Sequence, residues 1–93
     1  MKKIYKYPIP IEDKITLTLP VNSDILTVQI QKGEPVVYAL VGTVLKMERD
    51  RKLELYGTGM EVPENRIYIG TFQMLNGALV YHLFENNVSI YTY

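Results

Sequence analysis

Two short Gly-Thr segments are the first residues in this chain that could do chemistry. Gly57-Thr58-Gly59 lies within LELYGTGMEV, and Gly70-Thr71 lies within YIGTF. Nucleotide-cradling loops need several glycines that lead directly into a helix, whose N-terminus supplies amides and a positive dipole. A turn-forming MEVP follows the first segment, and apolar residues surround the second. We therefore interpret these glycines as hinges or bulges between strands, with a ligand lying against bare backbone beside Thr58 and Thr71 as the alternative.

Residues for acid-base, nucleophilic or metal chemistry are sparse. His82 is the only histidine and there is no cysteine, so one chain cannot build a multi-histidine or thiolate metal site. The serines, Ser23 and Ser89, lie in turn or terminal contexts without a nucleophile-elbow pattern. The carboxylates stand beside turn residues, where solvated charge is typical. The sequence predicts a protein that is not an enzyme and uses no metal or cofactor.

Five cations could meet at one end of the predicted sheets and form an anion site. Arginine is the better partner for phosphate because its planar fork makes two parallel hydrogen bonds. Arg51 and Arg66 are therefore the candidates for contact with an anionic ligand. The full set of cations is Lys46, Arg49, Arg51, Lys52 and Arg66.

Composition limits the partners. Lys plus Arg equals Asp plus Glu at ten each, so the summed field that attracts a protein to nucleic acid or to an anionic membrane is missing. No run of about 20 apolar residues predicts a membrane span, and prolines interrupt the N-terminal segment MKKIYKYPIP. We expect a single domain over residues 1–93 in a cytoplasmic setting, without general nucleic-acid binding or membrane insertion.

Tyrosine is the unusual residue, with eight copies beside two phenylalanines and no tryptophan. Its ring packs as a hydrophobe, but its hydroxyl needs water or a hydrogen-bond partner, which suits core margins, subunit contacts and ligand pockets. Core margins and strand propensity are the simpler explanation. Subunit contacts and a pocket predict a homo-oligomer that binds a small molecule.

Alternation of apolar and polar residues recurs along the chain and predicts an all-β fold. About seven or eight short strands with turns every eight to twelve residues indicate an antiparallel sandwich or small barrel. The tail VSIYTY could add a last strand. Strands are predicted at Lys3–Tyr7, Ile15–Leu19, 25–31, Val36–Val41, Leu53–Thr58 and Ile67–Met74, followed by the hairpin strand after Gly77.

Two hairpins have predictable registers. Lys32-Gly33 sets Gln31 opposite Glu34, which pairs Val28 with Val37 and Leu26 with Ala39. Asn76-Gly77 is the strongest short hairpin signal and pairs Met74 with Leu79, Phe72 with Tyr81 and Thr71 with His82. One face then carries Tyr68, Phe72, Met74, Leu79, Tyr81 and Leu83. The other face carries Ile69, Thr71, Gln73, Val80, His82 and Phe84, and its mixed character is typical of a subunit or ligand contact.

The charge-dense run KMERDRK, residues 46–52, predicts a solvated loop with at most a short helical turn.

Four sequence blocks, IYKYPI, YGTG, YIGTF and HLFE, resemble an uncharacterised family of short proteins from bacteriophages and bacterial mobile elements. The resemblance covers residues 3–85 and includes the Leu19-Pro20 ending of a strand. The chain departs from the family pattern by continuing past Glu85 as NNVSIYTY. The resemblance implies a small cytoplasmic accessory protein encoded by a phage.

Two functions fit these observations. The first is a non-catalytic, oligomeric protein that binds a small anionic ligand, with a nucleotide-derived host immune signal as the best candidate. Its predicted contacts are Tyr56, Thr58, Gly59, Arg51, Arg66, Thr71, Tyr81 and His82. The second is a protein-interaction module, either an inhibitor of a host factor or a minor virion component, that docks through a strand edge or a tyrosine-bearing face.

Overall fold

The computed structural model describes residues 1–44 and 47–87, which form two antiparallel sheets. The strands are β1 (Lys2–Pro8), β2 (Lys14–Pro20), β3 (Asp24–Gln31), β4 (Glu34–Gly42), β5 (Glu48–Gly57), β6 (Arg66–Met74) and β7 (Leu79–Asn86). A 3-10 turn at Leu75–Gly77 is the sole helical element among the described residues. The all-β prediction is confirmed.

The three-stranded sheet has the order β1-β4-β3, and the four-stranded sheet has the order β2-β5-β7-β6. The sheets face each other as a sandwich, with β3 lying against β6 and β2 against β4. Buried side chains at alternate positions fill the space between them, as two-sided strands require. The core consists of Ile9, Ile15, Leu19, Val28, Val37, Ala39, Val41, Leu53, Leu55, Phe72 and Leu83.

Both predicted hairpins form: Lys32-Gly33 makes a two-residue reversal, and residues 75–78 make a four-residue turn between Met74 and Leu79. Lys32 and Gly33 have φ of 52° and 81°, and Gln31 pairs with Glu34 and Val28 with Val37. Asn76 and Gly77 also have positive φ. As predicted, Met74 pairs with Leu79, Phe72 with Tyr81, and Thr71 with His82.

Two β-bulges change the faces that alternation predicted. In β3 the register shifts between Ile25 and Thr27, so Ile25 lies opposite Ala39 and the predicted pairing of Leu26 with Ala39 is wrong. Leu26 is consequently 45% exposed instead of lying in the core. The extra residue of a bulge reverses the facing of every residue on one side of it.

The second bulge lies in β6 between Tyr68 and Gly70, where Tyr68 pairs with Phe84 and Gly70 with Leu83. The prediction that Tyr68 shares a face with Phe72 and Tyr81 is therefore wrong. Tyr68 lies on the face of His82 and Phe84, while Ile69 packs against the core. This exchange brings an exposed aromatic ring to the face that carries the candidate site.

The prediction of a solvated loop or helical turn at residues 46–52 is wrong for Glu48 onward, which belongs to β5. Leu45 and Lys46 lie outside the described residues. Pairing with β2 stabilises this charged segment: Thr18 Oγ1 donates to Asp50 Oδ1 at 2.7 Å, and Lys52 Nζ donates to Thr16 Oγ1 at 3.2 Å. The predicted strand in VSIYTY, residues 88–93, also lies outside the described residues.

Candidate functional site

The candidate site lies on the outer face of the four-stranded sheet, which is the face turned away from the three-stranded sheet. Cross-strand pairing brings its residues together, since Tyr56 and Thr71 are both register partners of His82, and Tyr68 is a partner of Phe84. Directly opposed side chains on adjacent strands lie close enough to interact. The outer face consists of Glu54, Tyr56 and Thr58 around β5, His82, Phe84 and Asn86 on β7, and Arg66, Tyr68 and Thr71 on β6.

A chain of hydrogen bonds crosses this face. Tyr68 Oη lies 2.6 Å from Thr71 Oγ1, which lies 2.9 Å from His82 Nδ1. His82 Nε2 lies 2.8 Å from Thr58 Oγ1. Both ring nitrogens of the single histidine therefore bond to hydroxyl groups, each of which can donate or accept. Sequence reasoning predicted the Thr71–His82 pair from the hairpin register, and Tyr68 joins it because of the β6 bulge.

Three aromatic rings form a row beside this chain. The ring centroids of Tyr56 and Phe84 are 5.8 Å apart with an interplanar angle of 79°, and those of Tyr68 and Phe84 are 5.4 Å apart with an angle of 63°. Both pairs have the edge-to-face geometry that aromatic rings prefer. Tyr68 is 57% exposed at the end of the row, so a flat ligand can reach its ring from solvent.

A buried carboxylate anchors the other end of the outer face. Glu54 is 6% exposed and accepts hydrogen bonds from Arg66 Nε at 2.8 Å, Asn86 Nδ2 at 3.1 Å and the hydroxyl of Tyr56. Burial alone would raise the pKa of Glu54, but these bonds and the charge of Arg66 outweigh it, so the pKa lies below its ordinary value. Burial and the bond to Glu54 raise the pKa of Tyr56. The cluster thus fixes the position of the Tyr56 ring.

Arg51 lies on the opposite side of the sheet from this network. Its Nε and Nη2 atoms donate to the two carboxylate oxygens of Glu85, the latter at 2.8 Å, and its Nη1 donates to the carbonyl of Ser23 at 2.9 Å. The hydrogen bond to Glu85 raises the pKa of Arg51. Its guanidinium joins β5, β7 and the turn before β3, which makes Arg51 a structural residue in this geometry.

Tyr81 and Gly59 are also separated from the outer-face network. Tyr81 packs toward the core, with its ring centroid 5.6 Å from that of Phe72. Gly59 has φ of 91° in the turn after β5, a conformation that favours glycine. The structure therefore brings together Tyr56, Thr58, Thr71 and His82, connects Arg66 to them through Glu54, and places Arg51 and Tyr81 on the other side.

Shallow depressions adjoin the outer face at two ends. One, of about 320 Å³, is lined by Gly57, Thr58, Ala78, Leu79, Val80 and Tyr81. The other, of about 370 Å³, is lined by Lys14, Ile15, Thr16, Lys52, Leu53, Glu54 and Asn86. The sequence analysis did not predict Lys14 and named Lys52 only as one of five cations. The two lysines border the same depression because β2 pairs with β5. Within residues 1–44 and 47–87 no three carboxylate or histidine side chains are grouped so that they could hold a metal ion.

The fold and this surface define a small two-sheet β protein whose candidate site is an open sheet face. The chain belongs to the family described as a domain of unknown function (DUF7352), which matches residues 1–91. This agrees with the expected membership of an uncharacterised family, and the link to bacteriophages stays a prediction. Neither the search of curated proteins nor the search of solved structures found a match. In its described part the structure contains no helix that is long and apolar enough to cross a membrane.

Proposed function

We propose that the protein is a non-catalytic binding protein, and that its ligand is a small molecule with a flat ring and an anionic group. The row of Tyr56, Phe84 and Tyr68, next to the hydrogen-bonded His82, is the observation that supports this proposal. Stacking of a base on an aromatic side chain contributes about 1 to 3 kcal/mol and tolerates any base. Tyr68 offers the most exposed ring for such stacking.

The chain from Tyr68 to Thr58 can adapt to the polar edge of the ligand. When Nε2 of neutral His82 carries the proton, it donates to Thr58, whose own hydroxyl hydrogen then points outward. When Nδ1 carries the proton, the hydrogen bonds run in the opposite direction. His82 then donates to Thr71, Thr71 donates to Tyr68, and the Tyr68 hydroxyl hydrogen is free for the ligand. Each tautomer therefore offers a donor at one end and an acceptor at the other, as a heterocyclic base requires.

The anionic group has a different partner from the arginines that the sequence suggested. Arg66 is engaged with Glu54 and the carbonyl of Glu64, and Arg51 faces the core side. Lys14 and Lys52 instead border the depression of about 370 Å³ on the same outer face. Tyr68 on β6 and Lys14 on β2 are separated by three strand spacings, or about 14 Å. This span suits a nucleotide with an extended phosphate or ribose group.

The more specific proposal is that this ligand is a nucleotide-derived host immune signal, which a phage-encoded protein sequesters in the cytoplasm as a homo-oligomer. The resemblance to phage-encoded proteins supports the biological setting, and the aromatic row supports the chemistry. Sequestration needs binding without turnover, which agrees with the interpretation of His82 as a hydrogen-bonding group held between two threonines.

Titration calorimetry against cyclic and linear nucleotides and adenosine diphosphate ribose derivatives tests this proposal. We expect heat with at least one ligand and a loss of about 5- to 150-fold in affinity for Tyr68→Ala, the equivalent of about 1 to 3 kcal/mol of stacking. Leu26→Ala is the control, because Leu26 is a 45% exposed apolar side chain on the other sheet and lies outside β1. No heat from any compound, or equal losses in both variants, would remove the proposal.

The alternative is a protein-interaction module, which the openness of the outer face favours. An exposed tyrosine such as Tyr68 can anchor a protein partner as well as stack on a flat ligand, because aromatic residues are enriched at protein interfaces. Purification from infected cells separates the two: a small molecule released by heating supports ligand binding. A host protein that co-purifies with the unmodified chain, but not with Tyr68→Ala, supports the interaction module.

A further inference from the structure

Within the described residues, the outer edge of β1 carries backbone groups without a partner strand. Ile9 N–H donates to the carbonyl of Pro35, and Thr43 N–H donates to the carbonyl of Met1, which places the odd-numbered residues in the hydrogen-bonded pairs with β4. The N–H and C=O groups of the even-numbered residues therefore point away from β4. Among the described residues β1 pairs with β4 alone, so the groups on Lys2, Ile4 and Lys6 face solvent.

The side chains of β1 are also exposed on both faces. Ile4 is 61% exposed on the outside of the three-stranded sheet. Tyr5 shares the core-facing side with its partner Ala39, yet it is 47% exposed because β1 lies at the edge of the sheet. A long edge strand with exposed apolar side chains is a template for pairing with another strand.

We propose that β1 pairs antiparallel with β1 of a second copy of this chain, with Tyr5 opposite Tyr5 across a two-fold axis. This inference is independent of the ligand proposed above, since it concerns the other sheet. The two three-stranded sheets would join into one continuous sheet. Isologous two-fold contacts are the commonest way in which identical chains associate.

Charge selects this register. With Tyr5 opposite Tyr5, Lys3 lies opposite Tyr7, Lys6 opposite Ile4, and Lys2 opposite Pro8 of the second copy, so no lysine faces a lysine. The neighbouring registers centred on Ile4 or Lys6 would set Lys2 opposite Lys6 or Lys6 opposite itself. Like charges directly opposite each other destabilise a strand pair.

The backbone fits the same register. Ile4 and Lys6 of the two copies would exchange both of their outward N–H···O=C bonds, and Lys2 N–H would donate to the carbonyl of Pro8. Pro8 lacks an N–H, and its position on the free edge is where a strand tolerates proline. The Tyr5 pair would occupy a non-hydrogen-bonded position, where opposed side chains are closest. Opposed aromatic side chains at such a position stabilise a strand pair.

Cysteine cross-linking tests the register, because the chain has no cysteine of its own. Under mild oxidation we expect Tyr5→Cys to form a disulfide-linked dimer, since the Cα atoms of a non-hydrogen-bonded pair are about 4.5 Å apart. Leu26→Cys is the matched control at 45% exposure in the same sheet and should stay monomeric. Equal cross-linking of both variants, or none in Tyr5→Cys, would overturn the proposal.

Sedimentation of the unmodified protein tests the association itself. We expect a concentration-dependent dimer that strengthens with added salt, because salt screens the repulsion among the lysines of two adjacent β1 strands. Tyr5→Lys should sediment as a monomer with an unchanged circular dichroism spectrum. A monomer at all concentrations would overturn the proposal, as would a dimer that Tyr5→Lys leaves intact. Capture of an acidic protein that salt releases, without self-association, would assign the edge to that partner instead.

Discussion

Gly70 of β6 lies directly against Val28 of β3: a Cβ added to Gly70 would lie 2.9 Å from Val28 Cγ1. This contact joins the edges of the two sheets beside the β6 bulge. The contact explains why glycine occupies position 70 of the second Gly-Thr segment, because any side chain there would collide with Val28. The interpretation of these glycines as hinge and bulge positions agrees with this contact and with the turn at Gly59.

Replacing Gly70 with alanine should therefore destabilise the protein by about 1 to 3 kcal/mol, the usual cost of overpacking a core. Urea unfolding of Gly70→Ala measures this difference. Gly42→Ala is the control, because an added Cβ there meets nothing within 4 Å. Equal free energies of unfolding for the two variants would contradict the close packing of β6 against β3.

Removing the Arg51 guanidinium should be costly because Glu85 is 8% exposed and would be left without its charge partner. We expect Arg51→Met to lower the free energy of unfolding by about 3 kcal/mol, the low end for a broken buried ion pair. Lys2→Met removes the exposed Lys2–Asp24 pair, at 3.7 Å, and should cost less than about 1 kcal/mol. Similar losses in both variants would show that Arg51 is not a structural anchor.

Acid should weaken the fold through Glu54. Its folded pKa lies below the ordinary value of 4.5, so its stabilising contribution is complete above about pH 4.5 and disappears as the pH falls through the folded pKa. Urea unfolding at a series of pH values measures this dependence. Glu54→Gln should be less stable at neutral pH and should lose less stability on acidification. A slope in Glu54→Gln as steep as that of the unmodified protein would contradict the assignment.

Local chemistry explains which parts of the fold could be predicted. The Asn76-Gly77 turn fixes its own register, so the pairing of Thr71 with His82 follows from neighbouring residues alone. The β6 bulge lies beside the contact of Gly70 with Val28, a tertiary contact that alternation does not reveal, and the predicted face of Tyr68 is therefore wrong.

Ion-pair partners also depend on tertiary structure. Arg51 and Glu85 are 34 residues apart in the chain, so no spacing rule connects them. The anion-binding role predicted for Arg51 and Arg66 rested on charge alone, whereas the structure shows each guanidinium bound to a carboxylate. Lys14 and Lys52 lie beside Glu54 because β2 pairs with β5, a pairing that the sequence does not indicate.

The most direct measurement for the proposed function is a two-dimensional amide NMR titration with the cyclic and linear nucleotides and the adenosine diphosphate ribose derivatives as probes. The account predicts that the signals that move are those of the outer face, namely Thr58, Tyr68, Thr71, His82 and Phe84, together with Lys52 beside the adjoining depression. Signals that stay fixed at saturating probe, or shifts confined to β1 and β3, would contradict it.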